Sequence, residues 1–169
     1  MIESKTMIES KIMNIIKYIF IFILIILILE LILGLYRNYR RSSTYRKAVQ
    51  YSKKVNKPLM VIGSPSSGFM NSIYPVYGCG DLCVDLVGCN MCKNSVQDDA
   101  TNVLQKKPDN SYVIFESCVL EVLDEDKKIK MLNEINRVSG GDFFEVRISP
   151  SIYSNLLAKS SIIQFGINY

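Results

Sequence analysis

Residues Ile15 to Tyr36 constrain this chain more than any others, because they form an apolar run whose only charges are Lys17 and Glu30. As a helix, about 22 residues reach roughly 33 Å, slightly more than the hydrocarbon core of a bilayer. Lys17 lies near one end and can snorkel, whereas Glu30 sits deeper at a cost of about 2.5–3 kcal/mol. Each Ile, Leu or Phe contributes roughly −0.3 to −0.6 kcal/mol at central depth, and there are enough of them to make insertion favourable. The run is longer than the roughly 7–15 residues of a signal-peptide core, and Leu-Tyr-Arg-Asn-Tyr-Arg-Arg at its end lacks a small-residue cleavage site. It reads as an uncleaved single-pass anchor.

The flanks set its expected orientation. Arg37, Arg40, Arg41, Arg46, Lys47, Lys53, Lys54 and Lys57 follow the run, against Lys5 and Lys11 before it. The positive-inside rule therefore puts the C-terminal domain in the cytosol, with Tyr36 and Tyr39 in the interfacial belt and the arginines near anionic headgroups. The formal net charge of +4 is concentrated in this stretch, since Asp81, Asp85, Asp98, Asp99 and Asp124-Glu-Asp126 lie beyond it. The bilayer is the expected partner, and nucleic acid is not. Met1-Ile-Glu-Ser-Lys5 recurs as Met7-Ile-Glu-Ser-Lys11, a unit too short to define a repeat fold.

Four segments follow from this reading: a short N-terminal segment (1–14), the transmembrane helix (15–36), a basic juxtamembrane linker helix (37–56) ending before Lys57-Pro58, and one small domain (57–169). In that domain Pro58-Leu-Met-Val-Ile-Gly63 reads as a buried strand, followed by the loop Gly63-Ser-Pro-Ser-Ser-Gly68 and space for one or two helical turns before Pro75. Asp81 to Val87 suits a second strand with Asp85 toward its end, and a loop then carries Asp98 and Asp99. Ser111 to Ser117 is the clearest strand. Leu120 to Val138 has Leu123, Lys127, Met131, Ile135 and Val138 at helical spacing, stopped by Gly140-Gly141, and a strand follows at Phe143 to Ile148. A short helix around Ser151 to Lys159 and a strand around Ser161 to Asn168 complete the expectation. Continuous apolar strands alternating with helices imply an α/β fold, a mostly parallel sheet covered on both faces. In such sheets ligands bind beyond the carboxyl ends of the strands, where the Gly63 loop, Asp85, Asp99 and Glu116 should converge.

Cys79, Cys83, Cys89 and Cys92 lie within fourteen positions. Zinc sites ordinarily use two close pairs on separate turns, but the first pair here is C-x3-C and Cys83 falls inside an apolar strand. With a cytosolic location arguing against disulfides, free thiols and no metal are the expectation, with zinc, an iron–sulfur cluster or redox chemistry as alternatives. Cys118 reads as a small apolar filler. The chain has no His, so a general base would come from a carboxylate, a Tyr or a Cys.

A strand ending in a glycine loop, a strand ending in Asp85, and then Tyr112-Val-Ile-Phe-Glu-Ser-Cys-Val-Leu-Glu-Val122 resemble, in that order, the Rossmann-like S-adenosylmethionine-dependent methyltransferases. Leu132-Asn-Glu-Ile-Asn-Arg-Val-Ser-Gly-Gly-Asp-Phe-Phe144 is similar to the helix and Gly-Gly turn before that family's fifth strand. The resemblance covers roughly 57–148. It implies S-adenosylmethionine as cofactor, with Gly63, Ser64 and Gly68 near its methionine part, Asp85 on the ribose hydroxyls and Asp99 facing the adenine amine. Glu116 and Ser117 would then line the opening to an unspecified methyl acceptor. The loop departs from the usual Gly-x-Gly-x-Gly, and Pro65 removes one backbone donor. A methyltransferase-like fold that has lost catalysis and serves as a binding module at the membrane, and a small metal-binding membrane protein, are the other functions considered. The Ile, Lys, Asn and Tyr bias is similar to that of membrane proteins of large DNA viruses.

Overall fold

The structure, a computed structural model, describes residues 2–65 and 75–147, with side chains from residue 13 onward. The chain divides into two units, the first containing the described residues up to Arg37 and the second comprising Asn38–Ser149. The first helix, α1 (Ile2–Val55), runs unbroken where the sequence is read as a span plus a separate linker helix. It contains one helical stretch long and apolar enough to cross a membrane, and its Ile, Leu and Phe side chains from Ile15 to Leu35 are mostly exposed. Such a surface is unfavourable in water and matches lipid. Within this unit the Arg37 guanidinium lies 3.8 Å from Glu30, two turns back, so the one deep carboxylate has a counter-charge.

In the second unit α1 ends at Asn56, a left-handed residue (φ 53), where Lys57 N–H donates to Ser52 O at 3.1 Å and Pro58 prevents continuation. The strands are β1 (Leu59–Ile62), β2 (Leu82–Asp85), β3 (Ser95–Gln97), β4 (Val113–Ser117) and β5 (Phe143–Val146), with helices α2 (Ala100–Gln105) and α3 (Glu125–Ser139). All adjacent pairs are parallel, in the order β3-β2-β1-β4-β5. The chain thus runs outward from β1 in one direction, returns, and runs outward from β4 in the other. The β1/β4 boundary is the topological switch point of a doubly wound sheet.

Strand alternation assigns the two faces. Leu59, Val61, Cys83, Val113 and Phe115 pack with Tyr45, Ala48, Val49 and Val55 of α1. Met60, Ile62, Val84 and Ile114 pack on the opposite face with Val103 and Leu104 of α2 and Met131, Ile135 and Val138 of α3. Burying each large side chain, such as Phe115 or Met60, contributes roughly 1.5–3 kcal/mol. Residues 41, 45, 48, 52 and 55 recur every four and three positions along α1, so the segment read as a linker supplies one layer of the domain.

Three elements differ from expectation. Asp98 and Asp99 lie in a loop as expected, but it is flanked by β3 and α2, a three-residue edge strand and a six-residue helix that carry too little periodicity to be seen. The helix expected from Leu120 begins at Glu125, because Asp124 accepts a hydrogen bond from Lys127 N–H as its N-cap. The turns expected before Pro75 and the expected elements after Ile148 lie outside the described residues.

Candidate functional site

The strand register brings the carboxyl ends together. Asp85 pairs with Gln97 and Ile62 with Glu116, so Gly63, Asp85, Ser117 and, two residues beyond β3, Asp99 lie at one edge of the sheet. Gly63 is required there, since its φ is 100° and a Cβ would lie 2.8 Å from Ser117 O. Its amide extends the β1–β2 ladder by donating to Val84 O at 2.9 Å. The next amide, Ser64 N–H, donates to Asp85 Oδ2 at 2.6 Å, and Val87 N–H donates to Oδ1 at 2.9 Å. Asp85 therefore fastens the start of the β1 loop to the end of β2. Among the described residues each of its oxygens accepts one backbone hydrogen bond, where a carboxylate offers about four acceptor positions in all. Asp99 accepts from Thr101 N–H at 2.7 Å as the N-cap of α2. Gly68 lies outside the described residues.

Glu116 and Ser117 face inward. Glu116 is 1% exposed, and its Oε1 accepts from Val119 N–H at 2.5 Å and Leu120 N–H at 3.1 Å. Burial outweighs these two donors and pushes its carboxyl up to about 7. Ser117 Oγ accepts from Arg41 Nε at 2.9 Å, and Arg41, only 8% exposed, also donates to the Tyr77 hydroxyl at 3.3 Å and lies 5.0 Å over its ring. Tyr77 in turn donates to Gly63 O at 3.1 Å, and burial raises its phenol despite the guanidinium. An α1 arginine thus reaches the switch point and ties β4 to the β1 loop. Neither Arg41 nor Tyr77 is among the residues singled out from sequence. The signal was present for Arg41, which lies one turn from Tyr45 on the stripe described above, but eight cations in that stretch point equally to lipid. Cys118, with φ 63, follows Ser117 beside Val146 O, and burial raises its thiol.

Gly63, Ser64, Asp85 and Asp99 accordingly lie along the carboxyl edge of the sheet, whereas Glu116 and Ser117 are turned to the protein. The cysteines depart from the free-thiol expectation: Cys79 is bonded to Cys92 and Cys83 to Cys89. The turn Cys89-Asn-Met-Cys92, closed by Cys92 N–H to Cys89 O at 2.8 Å, folds the second pair back onto Cys79 and Cys83 flanking the start of β2. Spacing in sequence could not reveal this return.

Comparison of the chain with protein-family models, with curated proteins and with solved structures found no match.

Proposed function

We propose that this chain is a membrane-anchored domain, held on the cytosolic side, that binds an adenosyl cofactor of the S-adenosylmethionine type at the carboxyl edge of its sheet. The observation that carries the reading is Asp85. It closes β2 next to β1 in a parallel sheet ordered β3-β2-β1-β4-β5 and holds the Ser64 amide of the β1 loop, which puts a carboxylate at the carboxyl edge where a ribose diol would lie. Asp99, just beyond β3, supplies an acceptor farther along the same edge. When bound, such a cofactor supplies an electrophilic methyl group. This chain's contribution is to orient it through Asp85, whose carboxylate is held in place by the Ser64 and Val87 amides. The basic residues after the span support the cytosolic placement.

A second reading, a binding module without methyl transfer, is favoured by one observation. Ser117 and Glu116, at the position where an acceptor would meet the methyl group, are already engaged by Arg41 and by the Val119 and Leu120 amides.

Calorimetric titration of the full chain in lipid nanodiscs with S-adenosylmethionine and S-adenosylhomocysteine tests the proposal. Binding is expected to weaken about ten- to a hundredfold in Asp85→Ala, since charge-assisted bonds contribute roughly 1.5–3 kcal/mol. A folded chain that binds neither ligand at millimolar concentration refutes it. Binding with methyl transfer to no added acceptor class favours the module. Protease added to sealed, cytosol-in vesicles should leave residues 57–169 intact.

A further inference from the structure

We infer that Cys79, Cys83, Cys89 and Cys92 form a redox-gated zinc site that closes when the two disulfides are reduced. The inference is independent of adenosyl binding.

The nested pairing gathers all four sulfurs. Cys83, Cys89 and Cys92 have Sγ atoms within 4.8 Å of one another, all three residues are buried, and Cys79 Sγ is bonded to that of Cys92. A tetrahedral zinc tetrathiolate with Zn–S bonds of about 2.3 Å spaces its sulfurs about 3.8 Å apart. The Cα atoms of the bridged pairs are 5.4 and 6.3 Å apart, and once a bridge is cleaved rotation about each Cα–Cβ bond moves its sulfur away from its former partner. Each ligand is set by its own piece of backbone. Cys79 lies between Gly78 and Gly80, where a Cβ on Gly78 would lie 2.5 Å from Tyr45 Oη and Gly80 N–H donates to that hydroxyl at 3.2 Å. Cys83 is on β2, and Cys89 and Cys92 share the C-x2-C turn common in zinc sites.

The gating rests on the cytosolic placement proposed above, which puts the domain in a compartment whose dithiols keep cysteines reduced. Each disulfide takes two electrons and two protons from a dithiol, which becomes its cyclic disulfide, and yields two thiols. Zinc then forms four Zn–S bonds and the four thiol protons leave to solvent. The metal replaces the two bridges as the constraint on the entry to β2. The site is closed, with four protein ligands and no open position, which makes it structural. Cys83 Sγ lies 4.0 Å from Gly63 O, so its state bears on the first loop of the sheet edge.

The test uses the full chain in detergent micelles, oxidised or reduced with a phosphine under anaerobic conditions, titrated with zinc and measured by elemental analysis after desalting. The expected result is one zinc per reduced chain and none per oxidised chain. Cys83→Ser or Cys92→Ser should retain below about 0.2 equivalents, because structural affinity needs the full thiolate set. Cys118→Ser should retain one. Because a Ser variant can fail to fold, alkylation of the wild type provides a second readout: zinc should protect four of the five cysteines. Replacement of zinc by cobalt should give the intense visible absorption of a tetrathiolate. If reduction unfolds the domain, its refolding on zinc addition supports the inference. A reduced chain that takes up no zinc, a Cys92→Ser chain that keeps a full equivalent, or stoichiometric iron in place of zinc would overturn it.

Discussion

Replacing Glu116 by Gln should make the domain more stable above neutrality and leave it nearly unchanged in acid. The carboxyl is buried at the end of β4 and is held at about 7 against an ordinary 4.5. Desolvation is the leading cause, the Val119 and Leu120 amides oppose it, and Glu145 and Glu121 add to it by charge repulsion. Because the folded-state value is raised, the stability that protonated Glu116 confers is fully present below about 4.5 and is lost as pH rises through about 7. At about 1.4 kcal/mol per pH unit, the interval corresponds to roughly 3 kcal/mol. Gln is neutral at every pH, and its carbonyl can accept the same two amides, so Glu116→Gln avoids that loss. Some of the gain is offset because a neutral acceptor makes weaker hydrogen bonds than a carboxylate. Urea unfolding of the full chain in micelles, followed by circular dichroism between pH 5 and 8, should show curves that coincide near pH 5 and diverge by about 2–3 kcal/mol at pH 8. Parallel pH profiles for the two proteins would refute the buried, neutral-favouring site.

The other predictions concern the same edge. Gly63→Ala should destabilise by more than about 2 kcal/mol, since its φ is 100° and the new Cβ would meet Ser117 O at 2.8 Å; a stability within about 0.5 kcal/mol of wild type in the same urea assay would remove the need for glycine there. Arg41→Ala should lower stability by roughly 1.5–3 kcal/mol through loss of the charged donors to Ser117 and Tyr77, and a double-mutant cycle with Ser117→Ala should show coupling. Asp85→Ala should also cost about 1–3 kcal/mol, because Ser64 and Val87 lose their acceptor, so its binding defect must be measured where the variant is folded. The hydrogen bond from Lys57 holds Asp142 below the usual carboxylate range, so the stability it confers is present above that range and is lost as pH falls through the lowered value; Asp142→Asn should lower stability near pH 7 and converge with wild type in acid, and a constant difference between the two urea curves at every pH would refute the assignment.

Much of the sheet was legible because its strands are short apolar runs with nowhere to go but a two-faced core. Leu59–Ile62 and Val113–Ser117 are fully buried and were readable as such, and Gly140 at φ 64 ends α3 where the Gly-Gly pair indicated. β3 was not, since Ser95-Val-Gln97 is held at the sheet edge by pairing with β2 and has only one partly buried side chain. At the candidate site the residue types were readable but their directions were not. Asp85 and Asp99 lie at element ends, where a short carboxylate meets loop amides; Glu116, also at a strand end, curls back onto its own loop.

By itself the sequence determined the membrane-length helix and the α/β class, because hydrophobic length and strand patterning are local properties that no partner can supply. Tertiary structure decided the rest. It carried the basic segment after the span into the domain as a packed layer, since Arg41, Tyr45, Ala48 and Ser52 acquire one face only when a sheet lies beneath it. It also joined cysteines thirteen and six positions apart, because the strand and turn between them return the chain to its starting point, a closure that depends on β2 being held against β1.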